Sequence, residues 1–170
     1  MWRRIFSFVA PIIFVAPLLI WACSQGKESA SFANNAAQGG IAEVEMGRLA
    51  AQRASDPEVK AFGARMVSDH SRANAELKSV ASKKGLQLPA DMNSKQKSEV
   101  DKLSKLSGVE FDKEYMSAMV DDHEKDVKEF ETQSKEGNDA DIKSFAAKTL
   151  PTLQQHLQMA KTAAQKVGAK

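Results

Sequence analysis

The chain has three histidines, and their surroundings are rich in residues that can bind metals. His70 ends the segment Met-Val-Ser-Asp-His, and His123 ends the similar segment Met-Val-Asp-Asp-His. His156 ends the segment Leu-Gln-Gln-His. Imidazole nitrogens are common ligands of transition metals, and they also accept and release protons near neutral pH. The three segments therefore predict a shared metal or proton-handling site, provided that the fold brings them together.

Each histidine lies on the apolar face of an amphipathic helical pattern. At about 100° per residue, His70 falls about 20° from Val59, and His156 falls about 40° from Ile142. His123 lies near the centre of its own apolar arc. At about 1.5 Å per residue from the predicted helix starts, His70 and His123 are level if their helices are parallel, and His156 is about one turn deeper. We therefore expect all three imidazoles in the core of one bundle.

Carboxylates complete the predicted site. On the first helical pattern, with Ile41 as the centre of the apolar face, Glu45 lies about 40° away and Glu43 points outwards. An ion pair between Glu45 and Arg48, one turn later, is the alternative role for this carboxylate. The predicted metal ligands are Glu45, His70, His123, Asp126 and His156, with Asp69, Asp122, Met66 and Met119 as a second tier.

The residue types leave two interpretations of this cluster open. A cation can satisfy several buried polar groups at once, and imidazoles with carboxylates suit iron, manganese or zinc. Met66 and Met119 each lie one turn before a histidine, and their thioethers would suit copper instead. The second interpretation is structural, with the histidines in a hydrogen-bonded core network and the methionines as core packing.

Start and stop signals divide the chain into helices. Asp56 and Pro57 end one helix and begin the next, and Gly85 ends the second. Residues 86–108 are too long for a tight turn and contain a short amphipathic helix, so they predict a crossover that leaves the second and third long helices parallel. Residues 137–139 supply the last break. The predicted fold is all-α, a ferritin-like four-helix bundle over residues 32–167 with a short extra helix in the crossover.

The amino-terminal residues predict an export signal and a lipid anchor. Residues 1–22 combine two arginines, an apolar run and a small residue before Cys23, which is typical of a bacterial lipoprotein signal. Cys23 would be lipidated, and residues 23–31 would form a flexible tether. The membrane is then the expected partner, through the lipid. Ser24 after the cysteine favours the outer membrane over the inner membrane, with the domain in the periplasm.

Charge argues against a nucleic-acid partner. The chain has 24 basic and 22 acidic residues, and residues 1–22 contain two arginines and no acid, so the remainder has 22 of each. The domain has no basic block, and its aromatic residues are too sparse for base stacking.

Four segments together resemble a bacterial family called domain of unknown function 4142. They are residues 41–50, 66–70, 111–123 and 150–156. The resemblance covers nearly all of residues 32–167. It implies a ferritin-like, exported or outer-membrane protein with no settled activity.

The chain departs from the di-iron pattern of ferritin-like oxidases. Those bundles use a glutamate three residues before a histidine on two helices. Here Val67, Val120 and Leu153 occupy the corresponding positions. Hydrolase motifs with a serine or cysteine nucleophile are also absent from the sequence. We therefore expect a binding protein rather than an enzyme, or a non-enzymatic envelope module for interaction or stress tolerance whose histidines are structural.

Overall fold

Five helices make up all of the regular secondary structure that the computed structural model describes, which covers residues 18–169. Residues 1–17, most of the predicted signal, lie outside this range. The helices are α1 (Leu18–Arg53), α2 (Pro57–Lys83), α3 (Ser94–Ser104), α4 (Gly108–Glu136) and α5 (Ala140–Val167). Four are long enough to form a bundle, and α3 lies in the connection between α2 and α4. The predicted all-α class is confirmed.

Contacts between helix ends give the direction of each helix. Lys166 near the end of α5 pairs with Asp56 before α2 at 3.3 Å, and Lys84 after α2 pairs with Asp139 before α5 at 2.8 Å. Helices α2 and α5 are therefore antiparallel. Because α4 and α5 are joined by a short turn and pack side by side, α4 runs parallel to α2. The long crossover thus leaves α2 and α4 parallel, as its length predicts.

Helix α1 is antiparallel to α4. The Phe32 ring near the start of α1 packs edge-on against the Phe130 ring near the end of α4, with centroids 4.9 Å apart. At the other end, the buried Asp112 carboxylate accepts hydrogen bonds from the backbone amides of Ser55 and Asp56 at 3.1 and 2.9 Å. This carboxylate ties the α1–α2 turn to the first turn of α4.

Local capping explains the helix boundaries. The Asp56 side chain accepts a hydrogen bond from the Glu58 amide at 2.7 Å, and Pro57 occupies the first helical position. Asn93 and Gln96 form a reciprocal capping box at the start of α3. These boundaries agree with the sequence-based prediction to within a residue or two.

The start of α1 differs from the prediction. The helix begins at Leu18, so residues 23–31 are helical rather than a flexible tether. Ser29 is buried and Phe32 packs against α4, so this end of the helix is held by tertiary contacts that its small polar residues do not reveal. Cys23 falls within the helix.

The core consists of two apolar layers. The first is centred on Phe62, Met66, Tyr115 and Met119, and the second on Leu77, Phe130, Ile142 and Phe145. Along every long helix, one buried polar residue falls where the first layer gives way to the second. These residues are Glu43, His70, His123 and His156. They form a polar layer across the bundle.

Helices α1 and α2 pack closely enough to require glycine. A Cβ atom added to Gly47 would lie 2.6 Å from the Gly63 carbonyl oxygen, and one added to Gly63 would lie 2.5 Å from the Ala50 Cβ. Neither separation is sterically allowed. The close approach explains why these two glycines occur in helices, where glycine costs about 1 kcal/mol relative to alanine.

We expect Gly47→Ala and Gly39→Ala to have opposite effects. The first introduces a clash and should destabilise the protein by about 1 to 3 kcal/mol. An added Cβ at Gly39 meets nothing within 4 Å, so this variant should gain up to about 1 kcal/mol from helix propensity. Urea unfolding of both variants measures the difference. Equal effects would contradict the close packing of α1 on α2.

Candidate metal centre

The structure brings the three histidines together in the polar layer. His70 comes from α2, His123 from α4 and His156 from α5. Their ring centroids are 5.7, 5.3 and 5.4 Å apart, close to an equilateral triangle. One ring nitrogen from each lies within 4.8 Å of the other two, and all three side chains are buried. The sequence-based expectation of one shared cluster agrees with this geometry.

The proton position of His123 follows from its partner. Its Nδ1 lies 2.9 Å from the Met119 carbonyl oxygen, one turn earlier on α4. A carbonyl oxygen only accepts, so Nδ1 carries the proton and donates. In the neutral ring, Nε2 then presents a lone pair to the core.

Carboxylates orient the other two rings. His70 Nδ1 lies 2.8 Å from Glu43 Oε2, which joins α2 to α1. His156 Nε2 lies 3.0 Å from Asp69 Oδ2, which joins α5 to α2. Each carboxylate accepts a hydrogen bond from the ring nitrogen that it faces, so the lone pairs of His70 Nε2 and His156 Nδ1 remain free.

Asp69 is itself fixed by two arginines. Arg65 Nε donates to Asp69 Oδ2 at 3.2 Å, and Arg72 donates to Oδ1 at 2.8 Å. The hydrogen bond from His156 and the nearby arginines hold the pKa of Asp69 below its ordinary value, although partial burial opposes them. Asp69 is therefore an anion that orients His156, a role that the sequence did not distinguish from simple solvation.

Four atoms of the polar layer are buried with no hydrogen-bond partner among the described residues. They are His70 Nε2, His123 Nε2, His156 Nδ1 and Glu43 Oε1. Glu43 Oε1 lies 3.5 Å from His123 Nε2, so two acceptors face each other when Glu43 is ionised. The arrangement with ionised Glu43 therefore leaves three nitrogen lone pairs and one carboxylate oxygen without a donor.

Burial keeps the histidines neutral. It lowers the pKa of His70, His123 and His156 to about 4 each, against the partly opposing effect of nearby carboxylates. Burial also raises the pKa of Glu43 to about 7, an effect that His123 partly offsets. At neutral pH the metal-free layer thus contains three neutral imidazoles and a carboxyl group near its midpoint of ionisation.

The prediction that Glu45 faces the interior is wrong. Glu43 is 3% exposed and bonds to His70, whereas the Glu45 side chain is 40% exposed and pairs with Arg48 at 3.2 Å. The prediction took Ile41 as the centre of the apolar face of α1, but Ile41 is only partly buried. The buried face of α1 is formed largely by small residues that allow close packing, and such residues contribute little to an apolar stripe. The alternative ion pair of Glu45 is confirmed.

The remaining predicted residues occupy different surroundings. Asp126 is half-buried and lines a small cavity with Glu43 and His70, and burial followed by the charge of Glu43 raises its pKa well above the ordinary value. Asp122 pairs with Lys125 at 3.6 Å near the surface. The two methionines of the second tier, Met66 and Met119, lie in the first apolar layer. Tyr115 also lies in that layer, and its buried hydroxyl has no hydrogen-bond partner among the described residues.

Comparison with known families agrees with this architecture. A profile described as Domain of unknown function (DUF4142) matches residues 22–163. The chain belongs to this family. The match spans α1, where Glu43 lies, through most of α5. No curated protein matches the DUF4142 chain.

A solved structure shares the fold of this DUF4142 protein. It is a DUF305 protein from Streptomyces coelicolor that is described as secreted. The two superpose with a TM-score of 0.72 over 84% of this chain and 94% of the other, at 17% sequence identity. Likeness at this identity shows the helical fold alone.

We predict that the metal-free protein loses stability as the pH falls from 6.5 to 4. Each histidine has a pKa of about 4 when folded and about 6.5 when unfolded, so the unfolded chain binds more protons in this window. Glu43 and Asp126, whose pKa values are raised, oppose the trend. The net slope should be on the order of 1 kcal/mol per pH unit.

Urea unfolding of metal-free protein at several pH values measures this slope. His156→Gln removes one of the three titrating rings and should flatten the profile, because fewer protons are then taken up on unfolding. A free energy of unfolding that increases as the pH falls from 6.5 to 4 would contradict the neutral state of the three rings.

Proposed function

We propose that His70, His123, His156 and Glu43 bind one divalent transition-metal ion, and that metal binding is the function of this protein. The observation that supports the proposal is the set of free atoms in the polar layer. Each histidine has one nitrogen held by an acceptor, while the other nitrogen is buried with no donor among the described residues. Histidine ligands in metal sites are oriented by hydrogen bonds of this kind.

A purely structural network satisfies these atoms less well. A water molecule donates two hydrogen bonds, so one water beside an ionised Glu43 leaves at least one of the three lone pairs unsatisfied. A single cation interacts with all three lone pairs and with the Glu43 carboxylate. The donor set therefore favours a metal over water.

The spacing of the nitrogens is compatible with metal binding after a small contraction. Three atoms within 4.8 Å of one another have a common centre no more than about 2.8 Å from each. Zinc–imidazole bonds are about 2.0 to 2.1 Å long, so each ring would move inwards by about 0.7 Å. Side-chain rotation and small helix shifts cover such a distance.

The ligand types favour divalent iron, manganese, zinc or copper over copper(I). Three neutral nitrogens and a carboxylate match the preferences of these divalent ions, whereas copper(I) would be favoured by thioether sulfur. His123 approaches Met119 through the carbonyl oxygen of that residue. Glu43 would fill the fourth position, and closed four-ligand sites are typical of tightly held metals rather than catalytic ones. Storage, buffering or structural stabilisation thus fits better than turnover.

Metal content tests the proposal directly. Protein purified without chelator should contain about one iron, manganese, zinc or copper per chain by mass spectrometry. Saturation of the metal-free protein at about 100 times Kd should add about 2.7 kcal/mol of stability, which raises Tm by roughly 8 °C. Metal-free protein from metal-replete cells that shows no thermal shift would leave the structural network as the better account.

Two glutamates on the same helix provide a matched pair of variants. Glu43→Gln removes the carboxylate that faces the histidines and should weaken metal binding at least 10-fold, in line with the loss of a ligand or its orienting partner. Glu45→Gln removes an exposed carboxylate two residues away and should bind as the wild type does. Titration of both variants with the metal found in the purified protein measures the difference. Equal affinities would remove Glu43 from the site.

We also propose that the protein is exported and anchored to the envelope through a lipid on Cys23, in the outer membrane rather than the inner one. The sequence around Cys23 supports this proposal. Within residues 18–169, no helix combines the length and the apolar character that crossing a membrane requires.

Cys23→Ser tests the anchor. The variant should move from the membrane fraction to the soluble fraction of the envelope, because the thiol that accepts the lipid is lost. Ser24→Ala serves as the control and should remain with the membrane. Mass spectrometry of the mature amino terminus would identify the lipid, and an unmodified Cys23 in the wild type would contradict the proposal.

A further inference from the structure

An open cleft lies beside the polar layer, between α1, α3 and α4. Its volume is about 360 Å³, and carboxylates dominate its lining. The acidic residues are Glu43, Glu99, Asp122, Asp126 and Glu129. Two lysines, Lys95 and Lys125, also line it, and Lys125 is paired with Asp122 at 3.6 Å. Acidic residues therefore outnumber basic ones in the cleft, five to two.

The inner end of the cleft is lined by Glu43, whose carboxylate is paired with His70. Glu43 and Asp126 line the cleft, and both also line a smaller cavity of about 20 Å³ together with His70. A space of this size accommodates one water-sized particle. The two carboxylates thus form a wall shared by the open cleft and the inner cavity. Glu43 Oε1 in this wall is buried and accepts no hydrogen bond from any of residues 18–169.

The larger clefts of the described residues lack this connection. One, of about 630 Å³, lies beside the start of α1 and the end of α4, and the other, of about 590 Å³, lies beside residues 86–90. Neither is lined by Glu43 or by a histidine. The acid-lined cleft differs from these two because Glu43 of the polar layer lines it.

We infer that the cleft between α1, α3 and α4 is the path by which a hydrated divalent cation reaches the three histidines. The inference rests on the proposed metal function. The carboxylates at the mouth raise the local cation concentration, since negatively charged clefts accelerate association with positive ligands. Deeper in the cleft, the Asp126 and Glu43 oxygens replace water in the ion's coordination shell. Glu43 is hydrogen-bonded to His70, so the ion passes from the Glu43 carboxylate to the imidazoles beside it.

Two residues at the cleft can be changed without altering the proposed ligands. Glu99 lies on α3, and Glu129 lies on α4 two turns beyond His123. The double variant Glu99→Gln/Glu129→Gln removes two negative charges and keeps the side-chain shapes. The control is Glu110→Gln/Glu136→Gln, which removes two charges from exposed sites at the ends of α4 that do not line the cleft.

The experiment measures Co²⁺ uptake by purified protein that has been stripped of metal. Stopped-flow absorbance follows the visible bands that Co²⁺ gains with nitrogen ligands, at low and at high salt. We expect the cleft variant to bind Co²⁺ about 5 to 10 times more slowly than the wild type at low salt, with a weaker salt dependence. The final occupancy should stay at one ion per chain, and the control pair should behave as the wild type.

A charge-reversal variant provides a second test of the path. Glu99→Lys reverses a charge at the mouth and should slow uptake further than Glu99→Gln. Uptake rates that are equal in the wild type, the cleft variant and Glu99→Lys would overturn the path while leaving the metal site intact. A wild type that takes up no Co²⁺ would instead overturn the metal function, and the path with it. Circular dichroism and Tm confirm that all variants fold.

Discussion

The structure depends on the hydrogen bonds that hold a polar layer inside an otherwise apolar bundle. The pair between Glu43 and His70 joins α1 to α2, and the pair between Asp69 and His156 joins α2 to α5. Buried polar pairs of this kind set the register of packed helices, because sliding one helix by a turn would leave both partners unsatisfied. The two apolar layers supply the attraction between helices, and the polar layer fixes their relative heights.

The cost of this layer is large compared with the stability of a domain. An unsatisfied buried polar group costs about 1 to 3 kcal/mol, and the layer has four such atoms. Their combined cost, on the order of 4 to 12 kcal/mol, is similar to the whole net stability of a typical protein of about 5 to 15 kcal/mol. A bundle of this size could lower the cost by replacing the histidines with leucine or methionine. Retaining three imidazoles that face one another is physically reasonable when a ligand satisfies them.

The sequence was sufficient for the fold because its signals are local. Asp56, Pro57 and the Asn93 capping box mark helix ends through contacts between residues a few positions apart, and the length of residues 86–108 sets the topology. The histidine cluster was also predictable, since each ring interrupts an apolar stripe. Glu43 was not, because the buried face of α1 is defined by its close contact with α2, which depends on Gly47 and Gly63. Residues 29–32 of α1 are likewise held by tertiary contacts, since Ser29 is buried and the Phe32 ring packs on α4.

The charged residues around the histidine cluster differ between its two sides. On the side of α1, α3 and α4, carboxylates line the cleft that ends at Glu43. On the side of α2 and α5, Arg65 and Arg72 hold Asp69 behind His156, and Arg65 also donates to Gln155 at 2.7 Å. A cation is attracted from the first side and repelled by the guanidinium groups on the second. Since α3 contributes Glu99 to the cleft, the crossover that makes α2 and α4 parallel also supplies one wall of it. The same connection thus places His70 and His123 at the same height along the bundle. It also leaves the acidic side of the site open to solvent.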